Sequence, residues 1–123
     1  MTIRAIKPFI PSGDDFRLAL AFFRDLGFVI GWESDDLAEL SMNGVAFLLQ
    51  NHQNGELQRN LMMMVSVEDL DAWWIRIVDS GVLDRYAGAK AKPPTDYPWG
   101  QREIHLIDPA GVCWHFVEAR TEG

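Results

Sequence analysis

Apolar and polar positions change period several times along the chain, and each change marks an element. Residues 3–10 are extended and partly alternating, broken by Pro8 and stopped by Pro11-Ser12-Gly13. Beyond them, Ala19, Phe22, Phe23 and Leu26 recur at i, i+3, i+4 and i+7, the spacing of one buried helical stripe. Asp14 or Asp15 can cap this helix, because a short carboxylate accepts the free N–H groups of a first turn. Gly27 can end it in a left-handed conformation. Residues 28–33 read as a strand. Leu37–Met42 and Val45–Gln50 read as two more, joined by Asn43-Gly44, a strong type I′ hairpin signal.

The second half repeats this order. Residues 61–67 are an apolar strand. Glu68-Asp69 opens a helix with Leu70, Trp73, Trp74 and Ile77 on its buried stripe, and Gly81 ends it. Residues 82–86 are expected to form a short strand and residues 87–100 a loop holding three prolines. Arg102–Ile107 and residues 112–118 form the last hairpin, around Asp108-Pro109-Ala110-Gly111. Asp15 matches Asp69, and Gly27 matches Gly81, at one common offset; Gly44–Leu49 aligns with Gly111–Phe116 at a longer one. The reading is a single domain over 1–123 of class α+β. It holds two tandem βαβββ modules, about 3–52 and 59–119. One module cannot cover both faces of its own sheet. Two side by side can, with mixed sheets curved around a trough and helices outside.

Turn chemistry assigns faces. Asp-Pro-Ala-Gly suits a type I turn closed by a bulge, with Gly111 at positive φ. That register pairs Ile107 with Cys113, His105 with His115 and Glu103 with Val117, and paired residues share a face. Ile104, Leu106, Trp114 and Phe116 then meet the helix, while Glu103, His105, Cys113 and His115 face the trough. A slip by one residue would bury Glu103 and His105 beneath the helix. By the same logic Leu40, Phe47 and Leu49 are core, and Glu39, Ala46, Leu48 and Gln50 face the trough. Met62, Met64 and Ser66 face it too, with Met63, Val65 and Val67 toward the helix. Apolar walls with a few convergent polar groups suit a small-molecule pocket.

Composition narrows the function classes. The 123 residues are 48% apolar, with five Trp and seven Phe, enough for a real core. Eighteen acids against eleven Lys and Arg leave a net charge of −7, which disfavours nucleic acid and mildly favours cationic ligands. Lys90 and Lys92, in the proline-rich stretch, oppose a strongly cationic one. The single cysteine, Cys113, excludes an intrachain disulfide and a Cys-rich zinc site. No apolar run is long enough to span a membrane, and the first residues do not pattern as a signal peptide, so the expected compartment is the cytoplasm.

The βαβββ repeat, Leu26-Gly27-Phe28 and the final Asp108-Pro109-Ala110-Gly111 hairpin resemble the glyoxalase I / bleomycin resistance protein / extradiol dioxygenase superfamily, the vicinal oxygen chelate fold. The likeness runs over residues 6–119. It is most specific in Ala21-Phe22-Phe23-Arg24-Asp25-Leu26-Gly27-Phe28 and in Pro98-Trp99-Gly100-Gln101-Arg102-Glu103. The resemblance implies metal ligands on the first and last strand of each module. Those places are Pro8, Leu48, Met62 and His115, of which only His115 suits a hard or borderline divalent metal. The expectation is therefore no metal and no cofactor. The alternative is a displaced divalent metal on Glu103, His105 and His115, with Glu39 as a further carboxylate, or His–Glu acid–base catalysis by the same three residues. No nucleophile stands out, and Cys113 is expected to be an inert thiol. The resemblance to the metal-free members implies a homodimer that sequesters an antibiotic or other aromatic molecule in a groove. The runner-up is a lyase, isomerase or dioxygenase-type enzyme. The residues expected to touch ligand are Trp32, Leu48, Met62, Met64, Tyr97, Trp99, Glu103, His105 and His115. Trp73, Trp74 and Trp114 are expected in the core or at an interface.

Overall fold

The computed structural model describes residues 1–119. The chain divides into two compact units, Met1–Asn54 and Gly55–Gly123. In the first, β1 (Phe9–Pro11) precedes α1 (Phe16–Leu26), followed by β2 (Val29–Glu33), β3 (Leu37–Met42) and β4 (Val45–Gln50). The sheet order is β1-β4-β3-β2, with β1 parallel to β4 and the other pairs antiparallel. Asp15 Oδ1 accepts the Leu18 N–H at 3.0 Å and starts α1; Gly27, at φ 123°, ends it by donating to the Phe23 and Arg24 carbonyls. Phe16, Ala19, Leu20, Phe22, Phe23 and Leu26 form the buried stripe. Phe23 meets Phe47 of the sheet edge-on at 5.2 Å. Burying each such side chain contributes about 1.5–3 kcal/mol. Asn43 and Gly44 both have positive φ, as a type I′ turn requires, and the register is Met42 to Val45, Leu40 to Phe47 and Glu39 to Leu48.

The extended segment expected over residues 3–10 shortens to Phe9–Pro11. This strand is the edge of its sheet, with β4 as its one neighbour, and residues 1–7 are exposed. The Pro8 carbonyl still accepts the Leu48 N–H, but proline has no N–H with which to extend the ladder.

In the second unit, α2 (Gly55–Asn60) leads to β5 (Met62–Val67). Next come α3 (Leu70–Ser80), α4 (Val82–Arg85), β6 (Lys90–Asp96), β7 (Arg102–Ile107) and β8 (Cys113–Glu118). The order β5-β8-β7-β6 repeats that of the first sheet, including a parallel β5–β8 pair. Asp69 caps α3 as Asp15 caps α1, accepting the Ala72 N–H at 3.0 Å. Ile104, Leu106, Trp114 and Phe116 are buried on the α3 side, where Trp73 lies 4.8 Å from Phe116.

Three local readings change. Residues 82–86 are not a strand: Val82–Arg85 is one helical turn, because Gly81 in the left-handed region lets the chain restart with Asp84 and Arg85 donating to its carbonyl. The proline-rich 87–100 segment is not all loop, since Lys90–Asp96 pairs with β7. Pro93 and Pro94 fall at the irregularity between Lys92 and Thr95, on an edge strand, where a missing N–H is tolerated. Residues 55–60, to which no element was assigned, form α2, tied to the last hairpin by Gln58 Nε2 donating to the Ala110 carbonyl at 2.9 Å.

Candidate functional site

The Asp108–Gly111 turn sets the site. Asp108 is buried; its Oδ1 accepts the Ala110 and Val112 N–H groups at 2.9 and 3.1 Å, and its Oδ2 accepts Trp114 Nε1 at 3.0 Å. Burial pushes its carboxyl above the usual aspartate range, against the pull of those donors. Gly111 has φ 100°, and the register beyond it pairs Ile107 with Cys113, His105 with His115 and Glu103 with Val117. β5 and β6 extend these pairs into rows. Lys92, His105, His115 and Met64 form one row; Ile107, Cys113 and Met62 share the next. Both rows lie on the sheet face away from α3.

Glu103 is the centre. It is 4% exposed, and both carboxylate oxygens are engaged. Oε2 accepts Trp99 Nε1 at 2.6 Å; Oε1 meets His105 Nε2 at 2.9 Å and His115 Nδ1 at 3.1 Å. Burial raises its pKa, but hydrogen bonds from Trp99, His105 and His115 together outweigh that, and the carboxyl sits below the ordinary glutamate value. Tyr97 Oη meets His105 Nδ1 at 3.3 Å. A neutral His105 that donates through Nε2 accepts the tyrosine hydroxyl at Nδ1. His115 Nε2 is buried and has no hydrogen-bond partner.

The rings form a ladder. Trp99 stacks on Tyr97 at 4.6 Å, Tyr97 on His105 at 4.8 Å, and His105 meets His115 at 4.1 Å with the planes tilted 55°. Lys92 Nζ lies 5.3 Å from the Tyr97 ring centre, in cation–π range. The Tyr97-Pro98-Trp99-Gly100 turn, closed by Gly100 N–H donating to the Tyr97 carbonyl, folds Trp99 back over the strand it precedes. Met62 and Met64 are each 67% exposed and Trp99 is 57% exposed, a large apolar area for a sheet face.

Five of the expected site residues thus come together: Tyr97, Trp99, Glu103, His105 and His115. Met62 and Met64 share their face. Trp32 and Leu48 belong to the first unit, where Trp32, Glu39, Leu48 and Phe9 form one cross-strand row on the face away from α1. Glu39 is held there by Lys7 at 2.7 Å. The sequence places Trp99 among the ligand contacts, but its hydrogen bond to Glu103 was not legible there, nor was Lys92 over Tyr97. A Trp four residues before a buried acid, across a Pro-Trp-Gly turn, was the available signal. Arg102 leaves the cluster for Asp71 of α3, at 2.6 Å. The Cys113 thiol is half-buried, and burial, then Asp108 and Glu103, push its pKa up, which keeps it protonated and unreactive.

The four positions that the resemblance assigns to a metal do not fit one. Pro8 and Leu48 have no donor side chain, and the Met62 thioether is a poor ligand for Zn, Mn, Ni or Fe(II). Among the described residues, Glu103, His105 and His115 are the set that could hold an ion, with one ligand atom from each, all within 4.8 Å. No described helix is long and apolar enough to cross a membrane.

No curated protein matches the chain significantly in sequence. Solved structures do match. A bleomycin-binding protein complexed with bleomycin superposes with TM-score 0.83 at 21% identity, over 96% of this chain and 100% of that one. A bleomycin resistance determinant encoded on the transposon Tn5 superposes with TM-score 0.83 at 20% identity, over 97% and 100%. A bleomycin-binding protein from Streptomyces verticillus, complexed with copper(II)-bleomycin, gives TM-score 0.77 at 20% identity, over 97% and 100%. At such identities the likeness carries the fold alone. The sequence pattern of one family matches residues 12–116. The chain belongs to the Glyoxalase/Bleomycin resistance protein/Dioxygenase superfamily.

Proposed function

We propose that this protein binds and sequesters a planar aromatic small molecule, of antibiotic class or similar, without needing a metal at the superfamily's usual positions. The observation that carries the reading is the exposed apolar surface on one sheet face. Met62, Met64 and Trp99 stand out from it beside the polar cluster of His105, His115 and Glu103. Thioethers and flat rings adapt to aromatic ligands of varied shape, and the buried polar groups supply orientation. The bleomycin-binding proteins with the same fold support the ligand class. The acting form in this reading is a homodimer, supported by exposed Phe9, Val29 and Val45 in the first unit, and light scattering at micromolar concentration tests it.

The test is calorimetric titration, in the presence of a chelator, with metal-free bleomycin and with ethidium as a simple planar cation. Binding in the micromolar range is expected for at least one of them. The double variant Met62→Ser/Met64→Ser and the variant Trp99→Ala should each weaken it about tenfold, at unchanged far-UV circular dichroism. No binding below millimolar concentration, or equal binding by wild type and both variants, would sink the reading.

A further inference from the structure

Two imidazoles and an indole converge on one buried carboxylate. Glu103 is 4% exposed, and among the described residues no lysine or arginine bridges to it. Arg102 is turned to Asp71 and Glu118, and Lys92 lies over the Tyr97 ring. His115 Nε2 is buried and has no hydrogen-bond partner.

We propose that Glu103, His105 and His115 form a binding site for a divalent first-row cation of the zinc class, built within the last hairpin and sharing only His115 with the superfamily's usual ligand positions. Three observations carry it. First, the donors are close enough to share one ion. Ligand atoms bonded tetrahedrally to such an ion at about 2.0–2.2 Å lie about 3.3–3.6 Å apart. Glu103 Oε1 is 2.9 Å from His105 Nε2 and 3.1 Å from His115 Nδ1, and all three atoms lie within 4.8 Å of one another, so small side-chain shifts would set them round one ion. Second, the donors are oriented from behind, as metal ligands usually are. Trp99 Nε1 holds Glu103 Oε2, and the Tyr97 hydroxyl sits at His105 Nδ1, ready to accept its N–H when Nε2 binds the ion. Third, His115 Nε2 is buried with no protein partner, so the ring has a nitrogen to give an ion in either orientation. Two imidazoles and a carboxylate suit a borderline cation better than magnesium or calcium, which favour all-oxygen shells. The remaining coordination positions are open to water or to an oxygen or nitrogen of a bound molecule.

This site is independent of the ligand reading above: cation binding is measured without organic ligand, and ligand binding with chelator present. Untagged, chelator-stripped protein is titrated with Zn(II) by calorimetry and with Co(II) by visible absorption. The expected result is one equivalent per chain in the micromolar range or tighter, and ligand-field bands for Co(II). His105→Ala and His115→Ala should each abolish both signals, and His52→Ala, an exposed histidine, should leave them unchanged. Because the site variants can perturb folding, Tyr97→Phe is the second arm. It keeps the ring stack, removes the hydroxyl at His105 Nδ1, and should weaken Zn(II) about tenfold at unchanged urea midpoint. No heat and no absorption with excess metal would overturn the proposal. So would binding that survives the double variant His105→Ala/His115→Ala, or full affinity in folded Tyr97→Phe.

Discussion

Replacing Asp108 tests the turn on which the whole cluster depends. Its carboxylate takes two backbone N–H groups through Oδ1 and the buried Trp114 indole through Oδ2. Asp108→Ala removes all three acceptors at once. Hydrogen bonds to a charged group contribute about 1.5–3 kcal/mol each, and part of that is already offset by the cost of burying the carboxylate. The expected net loss is about 3–5 kcal/mol, a large share of the stability of a domain this size. Asp108→Asn keeps the two backbone bonds but sets an NH2 group against the Trp114 N–H, and should cost about 1–2 kcal/mol. The pH dependence has a definite sign. The folded pKa of Asp108 is raised, so its contribution is complete below the ordinary aspartate pKa and is lost as pH rises through the folded value. The gap between wild type and Asp108→Asn should therefore be widest in acid and narrow toward neutral pH. Urea unfolding followed by tryptophan fluorescence, across that range, reads both quantities. A loss below about 1 kcal/mol for Asp108→Ala, or a gap that widens as pH rises, would refute the reasoning.

Glu103 carries the opposite sign: its folded pKa is depressed, so its contribution is present above the ordinary glutamate pKa and lost as pH falls through the folded value. Urea midpoints taken from neutral into acid should fall more steeply for wild type than for Glu103→Gln, and parallel curves would count against the hydrogen-bonded cluster. The two helix caps should be equivalent, Asp15→Ala and Asp69→Ala each costing about 1 kcal/mol in thermal or urea unfolding. Gly111→Ala isolates backbone strain, because an added Cβ meets nothing within 4 Å while φ is +100°. It should destabilise by about 1–2 kcal/mol with no change in near-neighbour packing, read by the same unfolding assay.

The cluster was legible from the sequence only up to its members. Hairpin register follows from turn chemistry, and turn chemistry is local, so the face shared by Glu103, His105, Cys113 and His115 could be read from four residues at 108–111 and an alternation. Met62 and Met64 could be placed on that face by alternation alone, since one slip would turn Met63 and Val65 outward. What those side chains touch was not legible. Whether Trp99 stacks on a ligand or folds back to donate to Glu103 depends on how the Tyr97–Gly100 turn packs on β7, and no periodicity carries that information. The same holds for the order in which both histidines find one oxygen of the carboxylate.

The edges were the other blind spot. Lys90–Asp96 reads as a loop because two prolines interrupt it, and only its position at the rim of the sheet makes those prolines harmless. Residues 3–8 read as strand because they alternate, but a lone edge beside β4 orders only Phe9–Pro11. Sequence by itself determined what is settled by neighbours along the chain: the two βαβββ modules, the paired Asp caps and Gly stops, and the register of both tight hairpins. Tertiary structure decided what depends on partners distant in the chain: which strand is an edge, which tryptophan turns inward, and which acid is buried. Those outcomes rest on desolvation and packing, and both are properties of the assembled sheet rather than of any segment in it.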